Sequence, residues 1–178
     1  MLFTERSIWT MIHGIGLGGA FLIVFSSVVY CLWNLRAADG LPADTVQRQT
    51  RFLARATVTL AVNLWLVVLI GTFVNFPSYK AEPPAGTTDL DPYPKALLKF
   101  DPDTAWLHEL GMELKEHMPW VPAMLMTAVA FVAARYGSKL AGEATMRNTM
   151  LALLVISFAV AGFVGLIGVF INKVAPLQ

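Results

Sequence analysis

Three histidines, His13, His108 and His117, are the only imidazoles among 178 residues. His13 lies in an apolar run that carries no acid, lysine or arginine. An ionisable side chain at membrane depth is by default a sign of function, because burying it is costly. Neutral imidazole is a good ligand for haem iron. His117 stands at the mouth of a second apolar run, so the two rings fall at one depth on different helices. His13 and His117 are therefore expected as the metal ligands of a b-type haem. Gly14 and Gly16 leave space beside the first ring. Glu113, one turn before His117, would accept from the other ring N–H, as ligating imidazoles require. Lys115 or Arg6 would meet the haem propionates. The same space would also suit a quinone. The plainer reading of His13 is a neutral ring hydrogen-bonded to a neighbouring helix.

The other two histidines fall in one segment. Asp101 has the character of a helix N-cap, with Pro102 at the first helical position. The helix should run to His117, before Pro119 and Pro122 kink or break it. At 100° per residue, Leu107, Leu110, Leu114 and His117 share one stripe, the face turned to the bundle. His108 falls half a turn away, beside Glu109, Met112, Glu113 and Glu116. Three readings are open. The segment is an amphipathic interfacial helix with solvated acids, or His117 ligates the haem, or Glu109, Glu113 and His117 hold a divalent metal with His108 or Met112 nearby.

These elements must sit in lipid. The chain is 56% hydrophobic and 14% charged, with mean hydropathy +0.60, against about 45–50% and about 25% for a soluble domain. The net charge of +1 and the lack of a basic run argue against nucleic acid as a partner. The lone Cys31 rules out an internal disulfide and a CxxCH haem attachment, and reads as a small buried hydrophobe. Crossing about 30 Å of hydrocarbon takes about 20 apolar residues. Residues 8–33, 52–76, 118–136 and 150–171 meet that need. The first run is too long for a cleaved signal peptide and reads as a retained helix. The fold expected is all-α: one four-helix transmembrane domain over residues 1–178. Between its second and third helices, residues 77–117 form an extracytoplasmic segment: a proline-rich strap, irregular to about residue 100, then the short amphipathic helix.

Arginines orient the bundle. The first loop carries Arg36, Arg48 and Arg51, and the third carries Arg135, Lys139 and Arg147. The middle segment has four lysines against eight acids. The positive-inside rule puts loops one and three in the cytoplasm of a bacterial-type inner or plasma membrane, with both termini and the strap outside. Gly14 and Gly18 on the first helix, and Ser157, Ala161 and Gly165 on the fourth, form small-residue stripes. Such stripes let helices pack closely or dock partner subunits; the alternative is room for a flat cofactor. In the second helix Asn63 sits near mid-depth and calls for an interhelical hydrogen bond.

Four helices with histidines near one membrane face resemble the plan of small b-type cytochrome subunits that anchor quinone-linked redox enzymes. The resemblance is one of architecture and rests on no motif. It implies a membrane subunit of a respiratory or photosynthetic-type electron-transfer complex, surrounded by lipid and by other membrane subunits. One histidine pair supports one haem and no relay across the bilayer. The alternative is a non-catalytic accessory subunit that docks larger partners through its glycine faces and acidic helix. A transporter is disfavoured, since no span carries a central acid or base.

The topology is checked by single-cysteine labelling in a Cys31→Ser background. A cysteine at Ala85 should react with an impermeant reagent added outside, and one at Ala43 should be protected. The reverse pattern would invert the orientation.

Overall fold

The computed structural model describes residues 3–37 and 40–177. Four helices in it are long and apolar enough to cross a membrane: Glu5–Asn34, Ala43–Lys80, Pro102–Tyr136 and Ala144–Val174. They mark an integral membrane protein. Each contains its expected span, and the second, third and fourth begin in polar sequence ahead of the apolar run, the third by sixteen residues. In lipid the α-helix satisfies nearly every backbone group internally, so a helix has no reason to stop at the edge of its apolar run.

Two short loops join the first helix to the second and the third to the fourth. At this loop end the buried Arg147 donates to the carbonyls of Leu140, at 2.6 Å, and of Ala141, which closes the third loop. Arg36 reaches across to Asn148 at 3.1 Å. Buried Leu32, Leu53, Leu60, Met126, Val129 and Leu154 form the core in the loop-end half. Cys31 is buried there, as its apolar setting predicts.

The opposite, strap end is looser. After Lys80 the chain runs without regular structure to Tyr93. A short helix, Pro94–Phe100, follows where an irregular strap was expected. Pro94 starts it with its fixed φ, and buried Leu98 anchors it against Leu107, Ile167 and Ile171. Lys95 bonds Glu82 across the strap and holds that carboxyl below the usual carboxylate range. Asp101 then caps the third helix, its side chain accepting from the Asp103 N–H at 2.9 Å. Met118 and Pro119 form a turn within that helix, because proline lacks the N–H that would continue the ladder.

Three stretches depart from α-helical pairing. Ile12–Leu17, Gly71–Asn75 and Leu107–Met112 are π-helical turns, and all lie in the strap-end half. Such turns are rare, loosen the backbone and gather at functional sites. Asn63 answers one of them: its side-chain amide donates to the Leu17 carbonyl at 3.1 Å, the interhelical bond its depth called for.

Candidate functional site: a glycine-lined cavity around His13

The first and fourth helices are antiparallel neighbours that meet twice. Towards mid-membrane Phe158 stacks on Phe25 and Phe21, with centroids 4.8 and 6.2 Å apart. At the strap end Arg6 donates to the Ala175 carbonyl at 3.1 Å. Between these contacts the two helices part. A methyl group added at Gly14, Gly18, Gly162 or Gly165 would meet no other group within 4 Å. The small-residue stripes therefore open a space within the chain, where tight bundle packing was the simpler expectation.

That space is a pair of adjoining cavities, of about 410 and 560 Å³. The deeper one is apolar, walled by Phe21, Leu64, Val68, Trp120 and Phe158. Its rim includes Ile15 and Leu22, which are 75% and 51% exposed on the outer surface of the bundle. In a membrane those residues face lipid, so the cavity opens sideways into the bilayer. The second cavity lies towards the strap and carries the polar groups Arg6, Asn75, Tyr79, Lys115 and Asn172.

His13 lines both cavities. The π turn carries it, and the ring lies flat against the second helix, where a Cβ on Gly71 would sit 3.0 Å from its Cε1. Only glycine leaves that place open. The imidazole meets the backbone carbonyl of Val67, while Nδ1 is buried and has no hydrogen-bond partner among the described residues. Nε2 is thus the nitrogen facing Val67. A carbonyl only accepts, so a ring proton facing Val67 leaves Nδ1 as the acceptor nitrogen, closed in by the surrounding protein. A buried polar atom left without a partner costs about 1–3 kcal/mol.

The structure does not bring His117 to His13. The His117 side chain is 75% exposed and lines neither cavity. Its Nδ1 donates to the Glu113 backbone carbonyl at 2.8 Å and stands 3.8 Å from the Glu113 carboxylate. The expected pairing one turn apart is present, but it faces away from the bundle. The π turn at Leu107–Met112 is the physical reason. It inserts about one residue into the helical phase, so the inward stripe runs from Leu107 through Gly111 to Lys115. Leu110 is left exposed. His108 is turned onto the second helix instead, with the buried Tyr79 phenol 2.8 Å from its Nδ1. Gly14 lines both cavities and Gly16 neither. No group of three His, Cys, Asp or Glu comes together among the described residues, so Glu109, Glu113 and His117 form no metal cluster.

Comparison with protein-family models, with curated proteins and with solved structures finds no match for this chain. The cavity must be understood from its own chemistry.

Two glycine substitutions should behave in opposite ways. Gly165→Leu places its side chain in open space, so the purified protein should keep its thermal midpoint while the cavity fills. Gly71→Val drives a side chain into the His13 ring and should destabilise the fold by about 1–3 kcal/mol, the usual cost of overpacking. A thermal melt of both variants in detergent checks the pair.

Proposed function

We propose that this chain is a membrane subunit of an electron-transfer complex and that its glycine-lined cavity is a quinol site. The unpartnered Nδ1 of His13 carries the reading. A quinol is a flat, lipid-soluble ring with two hydroxyl donors, and a hydroxyl is what a lone-pair nitrogen in an apolar cavity can bind. The ring enters between Ile15 and Leu22, and its apolar tail stays in the bilayer. Phe21, Trp120 and Phe158 offer aromatic faces to it.

Oxidation of the quinol releases two electrons and two protons. His13 Nδ1 takes one hydroxyl proton as the first electron leaves for a redox centre on a partner subunit. It passes that proton to water in the strap-end cavity that it also lines, and then takes the second proton as the second electron leaves. Positioned base catalysis of this kind is worth about 10²–10⁴ in rate. The arginine pattern of loops one and three supports an orientation with the strap, and with it the cavity, at the extracytoplasmic face of a bacterial-type membrane, where the protons would be released.

The geometry favours the quinol over a haem held between His13 and His117, because only one of those rings reaches the cavity. A spectrum of the purified chain separates the two readings. A reduced α-band abolished by His13→Ala and also by His117→Ala would restore the haem.

Binding of a short-chain ubiquinol analogue is checked through the fluorescence of Trp120, which lines the cavity. The quinol should quench it saturably and bind more tightly than the oxidised quinone, which has no hydroxyl to donate. His13→Ala should weaken quinol binding roughly tenfold, the value of one hydrogen bond of about 1.4 kcal/mol, and erase the preference. Equal affinity of both redox forms for the native protein would count against the proposal.

A further inference from the structure

The strap-end cavity holds charge that the quinol does not use. Arg6 and Lys115 both line it, and no aspartate or glutamate does. Neither cation forms an ion pair among the described residues. Arg6 is fixed by its bond to the Ala175 carbonyl at 3.1 Å, which occupies one of its five N–H donors. Lys115 is the more telling. Its side chain is partly buried and its ammonium lies against the fourth helix, where a Cβ on Gly168 would lie 3.0 Å from Nζ. A partly buried cation without a counter-ion is expensive, and proteins keep one when an anion completes it.

The space around the two cations suits an anion with a lipid attached. The amides of Asn75 and Asn172 add neutral donors. Leu166 and Val169 form the outer edge of the same cavity, and are 58% and 61% exposed on the face a membrane would cover. A phosphate group at Arg6 and Lys115 would leave acyl chains running over those residues into lipid. Arginine binds phosphate through its planar fork and lysine as a point charge.

We infer that the strap-end cavity is a binding site for the headgroup of an anionic phospholipid, held by Arg6 and Lys115. The site adjoins the quinol cavity, since His13 and Lys115 line both spaces, but the headgroup contact at Arg6 stands whether or not a quinol binds.

The full chain, purified and reconstituted in nanodiscs of phosphatidylcholine, is titrated with phosphatidylglycerol. Retention is read by native mass spectrometry after release. One phosphatidylglycerol should be retained saturably and no phosphatidylcholine. Lys115→Gln and Arg6→Gln should each weaken retention at least roughly tenfold, the loss of one charge-assisted hydrogen bond. Lys115→Arg should restore it in part. Circular dichroism and the thermal midpoint of each variant show that the bundle has folded. Retention unaltered in the Arg6→Gln/Lys115→Gln double variant would overturn the inference, as would no saturable binding to the native chain. Displacement of the lipid by equimolar inorganic phosphate would also overturn it, since a soluble anion would then be the occupant.

Discussion

In hydrocarbon, a backbone carbonyl that leaves its helical partner has no water to turn to, so every departure from α-helical pairing has to be answered by another group. Beside two of the three π turns a side chain from a neighbouring helix reaches a backbone carbonyl. Asn63 of the second helix reaches the Leu17 carbonyl at the end of the first π turn. His13 of the first helix meets the Val67 carbonyl, one turn before the second. These reciprocal contacts hold the first two helices together at the level where the first and fourth part. The cavity exists because polar contacts on one side of the first helix replace the packing given up on the other.

The glycines make sense within the same constraint. Gly71 lets the His13 ring lie on the second helix, and Gly168 lets the Lys115 ammonium reach the fourth. Those two are contact glycines, where a Cβ would collide with a functional side chain. Gly14, Gly18, Gly162 and Gly165 are different, for a Cβ there would meet open space. They keep a wall flat beside a ligand-sized cavity. One residue type thus serves two purposes in a single bundle, and the two classes should tolerate substitution very differently.

Much of this was legible in the residues. Hydropathy located the four helices, since length and apolar content are what lipid demands. Asp101 announced its cap and Asn63 its interhelical bond, each through a polar group that had to find a partner. The π turns were not legible. No local pattern in LHELGM distinguishes backbone hydrogen bonds five residues apart from bonds four apart, because the difference is decided by contacts with other helices. That single shift of phase moved His117 out of the bundle and brought Lys115 in. It also turned His108 onto Tyr79, a partner that helical phase alone pointed away from. The role of Gly71 was hidden for a related reason: it is isolated in its own helix and acquires meaning only from the ring that lies on it.

The central claim is that His13 Nδ1 is a lone-pair acceptor waiting for a hydroxyl. Nitrogen-15 NMR of histidine-labelled protein in bilayers reads that atom directly, with His13→Ala identifying its signal. On adding the quinol analogue, the Nδ1 resonance should move upfield, as an unprotonated imidazole nitrogen does when it accepts a hydrogen bond, and the oxidised quinone should leave it in place. A free-protein spectrum in which Nδ1 already carries the proton, or a resonance indifferent to the quinol, would contradict the account.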